Sequence, residues 1–176
     1  MSATKSHATR GRASDRRRFL KRAVGAGATL AATGVGAAVG RAQASDGFVR
    51  FDHVSFPMRN TGAMLQFYRD LGFDVMEGDR ICSVHFGDAK INLHRPEIWE
   101  SVEFTLRAPR AVPPCGDFCI VWGGSAADLE RTFERIGAVV IEMGPRQGGR
   151  NGGVDTGTSR YIRDPDGNLL EFITYP

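Results

Sequence analysis

Cysteine is scarce: three in 176 residues, an odd number that does not make a disulfide framework. Cys115 and Cys119 are four apart in what reads as a strand or its lead-in. That sets their Cα atoms roughly 13 Å apart at about 3.3 Å per residue, too far to bridge. Three free thiols are expected, with Cys119 packed as a small hydrophobe. Beyond residue 44 no apolar run is long enough to span a bilayer. Acid is almost missing from the first 44 residues, where nine Lys and Arg accompany the single acid Asp15. The chain's net +3 therefore hides a body of 14 basic and 19 acidic residues, at −5. Such a body has no attraction for phosphate backbones, which argues against nucleic acid as a partner. Its 132 residues, 45–176, suit one ordinary domain.

The basic segment reads as an address. Arg16-Arg17-Arg18-Phe19-Leu20-Lys21 resembles the twin-arginine export motif, R-R-x-F-L-K, with Asp15 in place of the usual Ser or Thr. Ala23 to Gly40 follows, too weakly apolar and too rich in Gly for a comfortable transmembrane helix. Ala42-Gln43-Ala44 then supplies a small-x-small cleavage site before Ser45. Residues 1–44 are expected to be a signal peptide recognised by the twin-arginine export machinery, placing a folded protein in the periplasm or outside the cell. A metal or cofactor loaded before export would fit that route.

The body divides into two similar halves, about 48–96 and 115–176. An alternating run from Phe48 to Phe56 predicts a strand stopped by Pro57. A helix over Thr61 to Asp70 follows, with Met64, Leu65, Phe67 and Tyr68 at helical spacing and Gly72 as its stop. Phe73 to Met76, Arg80 to Phe86 and Ala89 to His94 read as strands, the last two joined by a Gly87-Asp88 turn. In the second half Asp117 to Trp122 is a strand. Ser125 and Asp128 form a capping box for a helix from Ala126 to Ile136, ended by Gly137. Val139 to Met143, Ser159 to Arg163 and Leu169 to Thr174 complete the set. The expected fold class is α+β: two βαβββ modules forming a cup-shaped mixed sheet, with helices packed outside.

Three segments carry a family resemblance: Phe51-Asp52-His53-Val54, Phe67-Tyr68-Arg69-Asp70-Leu71-Gly72-Phe73, and Arg163-Asp164-Pro165-Asp166-Gly167-Asn168-Leu169-Leu170-Glu171-Phe172. In this order and spacing they resemble the vicinal oxygen chelate superfamily of glyoxalase I, extradiol dioxygenases, and fosfomycin and bleomycin resistance proteins. Lys90 to His94 and Gly116 to Cys119 resemble its glyoxalase domain-containing protein five subgroup. The resemblance implies a divalent metal in the cup and a small-molecule substrate; a homodimer is also expected.

Strand parity gives an independent reading, because side chains alternate across a strand. If Val54, Phe56, Ile91, Leu93, Phe118, Ile120, Leu170 and Phe172 face the core, then His53, Asn92, His94, Asp117, Cys119 and Glu171 share the opposite face. The family takes ligands from the first, fourth, fifth and eighth strands. Carried over, His53 and Glu171 match, Asp117 stands where His is usual, and Asn92 aligns with the glyoxalase Glu, which makes His94 the fourth-strand donor. The metal set is then His53, His94, Asp117 and Glu171. Imidazole and carboxylate donors suit Zn, Mn, Fe(II) or Ni, and the lack of thiolate argues against a closed structural zinc site.

Asn92 and Cys119 are expected to line the substrate pocket. Arg146 and Arg150, on a glycine-rich loop from Gly144 to Gly157, are expected to pair with an anionic group. The same loop reads equally as a connector with solvated arginines. Glu97 to Pro114 is expected to cover the cup or a dimer contact. Two functions remain open. One is a metal-dependent lyase, isomerase or dioxygenase in which Glu171 also moves a proton. The other is a metal-free protein that binds or sequesters a small molecule.

Overall fold

The first strand sets Val54 and Phe56 against His53 and Ser55, so one of its faces needs apolar cover. In the computed structural model, which describes residues 47–176, a helix provides it. β1 (His53–Pro57) leads to α1 (Thr61–Asp70), β2 (Asp74–Met76), β3 (Ile81–Phe86) and β4 (Ala89–His94). After a short helix, α2 (Pro96–Trp99), the order repeats as β5 (Asp117–Val121), α3 (Ala126–Ile136), β6 (Glu142–Gln147), β7 (Thr156–Arg163) and β8 (Leu169–Thr174). A 3-10 turn, Arg150–Gly153, precedes β7. The twin-arginine motif, the Ala23 to Gly40 stretch and the Ala44 cleavage site lie outside the described residues.

Each half builds its own four-stranded mixed sheet, in the orders β1-β4-β3-β2 and β5-β8-β7-β6. The first and last strands of each half run parallel and the other neighbours antiparallel. The chain is therefore the expected α+β pair of βαβββ units, with the cup divided between two sheets. Met64, Leu65 and Tyr68 of α1 and Leu129 and Phe133 of α3 are buried in one core with Phe56, Ile91, Leu170 and Phe172. Phe56 and Phe118, 5.8 Å between ring centroids, join the modules where β1 approaches β5. The capping box forms as expected, Ser125 accepting from the Asp128 amide and Asp128 accepting from the Ser125 amide, and Gly137 ends α3 at φ 69°.

Three strands depart from the expectation: β1 begins at His53 rather than Phe48 and includes Pro57, β7 begins at Thr156 rather than Ser159, and β6 differs most. Val139 to Met143 reads as a strand by its apolar run, but β6 begins at Glu142 and continues through Gly144 and Pro145. Val139, Val140 and Ile141 stay 74, 40 and 51% exposed ahead of it. The pairing is set by β7, which starts at Thr156 opposite Gln147 and reaches Tyr161 opposite Glu142. An edge strand tolerates proline and glycine because only one side needs its hydrogen bonds. Much of the expected loop is therefore sheet.

The turn between β7 and β8 fastens the modules together. Asp164, buried, accepts from the Tyr68 hydroxyl of α1 (3.1 Å), from the Asn168 side chain (2.8 Å) and from the Asp166 and Asn168 amides (3.1 and 2.9 Å). Asn168 accepts from the Cys115 and Gly116 amides at 3.0 and 2.7 Å, which positions the start of β5. Asp166 accepts from the Arg59 and Asn60 amides, placing a negative charge at the N-terminus of α1, whose own first turn has none. Burial outweighs these hydrogen bonds and holds the Asp164 carboxyl above its ordinary 3.8.

Asp164→Ala leaves several buried donors without an acceptor and should lower unfolding free energy by about 3 kcal/mol at pH 7. Because its folded pKa is raised, the native state holds this proton more tightly than the unfolded chain. Its contribution is then fullest at low pH and declines as pH rises through the folded value. Urea unfolding at pH 4 and pH 7 should show the larger Asp164→Ala deficit at pH 4.

Candidate functional site

On the first sheet the face turned away from α1 carries His53, Ser55 and Asn92. Ser55 stands opposite Asn92, whose side-chain amide donates to the Ser55 hydroxyl at 3.3 Å. His53 is exposed, and its Nδ1 lies 2.6 Å from the Asp52 carboxylate, leaving Nε2 outward. A carboxylate behind an imidazole is the support that a metal-binding His often has. His94, the last residue of β4, does not join them. It is 4% exposed, with the ring of Phe104 edge-on at 5.0 Å. The chain after α2 folds back over it, so the expected cup residue lies under the connector. Burial, then the charge of Arg107, lower its pKa from 6.5. Its Nδ1 has no hydrogen-bond partner among the described residues.

On the second sheet Asp117, Cys119 and Val121 are exposed along β5. Glu171 stands level with Cys119 on β5 and Tyr161 on β7, two positions from Asp117. The Ser159 hydroxyl donates to Glu171. Burial, then the charge of Glu171 and its hydrogen bond, push the Cys119 thiol up to about 12. Cys119 is thus a neutral thiol beside Glu171 at physiological pH, not a nucleophile. Burial also raises the Tyr161 hydroxyl; its bond from Arg146 opposes this and the Glu171 charge adds to it. Ser159 and Tyr161 were missed by sequence reasoning, although the parity applied to β8 would have found them on β7.

The two arginines already have carboxylate partners. Arg146 pairs with Glu142, donates to the Tyr161 hydroxyl at 3.2 Å and stacks 5.5 Å from that ring's centroid. Arg150 pairs with Asp155 at 3.2 Å and lies 5.1 Å from the Tyr175 ring centroid. The loop between β6 and β7 is pressed onto the end of β8. A Cβ on Gly157 would sit 2.6 Å from Ile173, and one on Gly148 would meet the Tyr175 hydroxyl. It forms a wall beside the end of β8, with Asn151 in the left-handed region at φ 53°.

Two cavities adjoin this face. One of about 640 Å³ is walled by Val121, Ile173, Tyr175 and Arg150, with Glu171 and Cys119 in its lining. The other, about 570 Å³, lies where β1 approaches β5, among Phe51, Phe86 and Phe118, with Ser55, Asp117 and Cys119. Ala108, Arg110 and Ala111 of the connector also line it, so that segment covers part of the cup, as expected.

The four expected metal donors are not brought to one point. His53 is on one sheet, Asp117 and Glu171 are on the other, and His94 is beneath Phe104 with a guanidinium nearby. Among the described residues no three His, Cys, Asp or Glu side chains gather around a position for one ion. The set does not fit a divalent metal held within a single chain.

Residues 50–172 match the family model of the Glyoxalase/Bleomycin resistance protein/Dioxygenase superfamily. The chain is 34% identical over 125 residues to glyoxalase domain-containing protein RDO1 of Mycosarcoma maydis, covering 70% of this chain and 67% of that one. It is 33% identical over 129 residues to virulence protein STM3117 of Salmonella typhimurium, covering 72% and 84%. The crystal structure of STM3117 superposes with a TM-score of 0.63 at 31% identity, over 73% of this chain and 98% of that one. Lactoylglutathione lyase from Agrobacterium tumefaciens shares the fold, with a TM-score of 0.55 at 20% identity over 73% and 95%.

Two outcomes are expected from this arrangement. A His with a depressed folded pKa contributes stability that is complete above 6.5 and is lost as pH falls through the folded value. His94→Leu should remove part of the stability loss seen between pH 7 and pH 5 in chemical denaturation. For Cys119, iodoacetamide should react more slowly at pH 8 than with a free thiol, and Glu171→Gln should accelerate it, as read by mass spectrometry of the modified peptide.

Proposed function

Because the chain belongs to the glyoxalase/bleomycin resistance protein/dioxygenase superfamily, we propose that it binds a small organic molecule at the open face of its second sheet. Glu171 is the anchoring group. One observation carries this reading: Glu171 is fixed from behind by the Ser159 hydroxyl and lines an open cavity of about 640 Å³. That volume is ample for a small ligand. A carboxylate held in this way accepts hydrogen bonds from a ligand without a metal between them. It is also the group placed to take a proton should a bound molecule react. The binding role needs only residues that this chain brings together. We place the protein outside the cytoplasm, on the strength of Arg16 to Lys21 and the Ala44 cleavage site.

A second reading rests on His53. Members of the superfamily often use divalent metals and are often dimers. The Asp52 carboxylate behind His53 suits a ligating imidazole, and the remaining expected donors, Asp117 and Glu171, stand on a different open face. In a homodimer, the second copy would have to bring that face to His53, and the metal would then supply Lewis acidity.

Thermal-shift screening of the full chain against small polar compounds, with and without EDTA, separates the two. Shifts that survive EDTA and vanish in Glu171→Ala are expected. Shifts that require added Zn, Mn, Fe(II) or Ni, and vanish in His53→Ala as well, would favour the second reading.

A further inference from the structure

The charges around Glu171 narrow the ligand class, and the inference rests on the cavity at Glu171 being a binding site. Arg150, the cation lining that cavity, is already compensated by Asp155 at 3.2 Å. Arg146, which reaches toward Glu171 through the Tyr161 hydroxyl, is compensated by Glu142. The groups beside Glu171 itself are neutral: the Ser159 hydroxyl, which donates to it, and Cys119 and Tyr161, level with it on the flanking strands. Glu171 is therefore the charge in this cavity that no cation among the described residues pairs with directly. An anionic ligand would meet net negative potential here, contrary to what the two arginines suggest in the sequence.

The neighbouring cavity has a different character. Phe51, Phe86 and Phe118 supply aromatic walls, and its charged lining residues, Asp117 and Arg110, are opposite in sign. Arg110 forms no ion pair among the described residues, and it is exposed at the connector. Cys119 lines both cavities. Its side chain is small, and it is the one residue shared by the two linings.

We propose that the ligand is an organic ammonium: its charged head pairs with Glu171, and its ring-sized apolar body extends past Cys119 into the aromatic cavity between β1 and β5. Cys119 is then a specificity-determining residue that keeps the two cavities continuous. A half-buried carboxylate facing neutral groups gains most from a cation that also donates hydrogen bonds. The aromatic walls favour a flat apolar body through burial and offset stacking.

The test is isothermal titration of the full chain at low salt with three probes. Phenethylamine carries both the ammonium and the ring, phenylacetate has the ring with the opposite charge, and propylamine has only the ammonium. Phenethylamine should bind at least tenfold more tightly than phenylacetate. Glu171→Gln should erase that preference. Cys119→Trp should weaken phenethylamine at least tenfold and leave propylamine within about twofold. If Cys119→Trp fails to fold by circular dichroism, Cys119→Leu should still weaken phenethylamine relative to propylamine. Equal or tighter binding of phenylacetate would overturn the ammonium assignment while leaving the cavity a binding site. Loss of phenethylamine and propylamine affinity in equal measure on filling Cys119 would overturn the path into the aromatic cavity. If none of the three binds, this inference fails, and hits from the thermal-shift screen decide separately whether the cavity reading stands.

Discussion

The Asp164 to Asn168 turn is the joint on which the arrangement of this protein depends. Through it the second sheet reaches the Tyr68 hydroxyl inside α1, the amides that open α1, and the amides that start β5. The bonds to Asp164 from Tyr68 and Asn168 are buried, where an unmatched group costs more than a matched one contributes. The turn therefore fixes position more than it adds stability. Because it holds α1 and β5 at once, it also fixes how closely β1 approaches β5, and so the cavity between them. A segment that resembles a family signature is structural for most of its length; of its residues, Glu171 faces the site.

With that frame set, the chemistry of the open face follows from which charges are already satisfied. Four arginines on the second half illustrate the point: Arg131, Arg146, Arg150 and Arg160 pair with Asp128, Glu142, Asp155 and Glu130. The pairs of Arg131, Arg146 and Arg150 are exposed and add little to stability, whereas the Arg160 guanidinium is buried. Their consequence here is electrostatic, since a guanidinium already opposite a carboxylate offers little to an anionic ligand. Glu171 is satisfied by neutral donors only, and keeps its charge for whatever enters the cavity. That same charge adds to the desolvation that raises the Cys119 thiol.

Much of the fold was legible because local rules and tertiary structure agree. The Ser125 and Asp128 cap, the Gly137 stop and the Gly87-Asp88 turn are short-range devices, and each stands where the sequence places it. Strand parity likewise put His53, Asn92, Asp117, Cys119 and Glu171 on the faces they occupy. What failed was information that a single strand does not carry. β6 is strand because β7 pairs with it, despite Gly144 and Pro145. His94 has the right parity, but a connector with no periodicity of its own buries it. Parity also says on which face a residue lies and not on which sheet, so donors that share a face in the sequence reading are divided between two sheets. The arginine pairings depend on loop geometry that glycine-rich sequence leaves open.

Ligand recognition rests on Glu171 and its neutral neighbours, and the described residues of one chain gather no donor set for an ion. Elemental mass spectrometry of the full chain, purified without chelator and offered Zn, Mn, Fe(II) and Ni, tests this most directly. Substoichiometric metal, unchanged in His53→Ala and Glu171→Ala, is the result expected. One equivalent of metal per chain, lost in both variants while each remains folded, would contradict it.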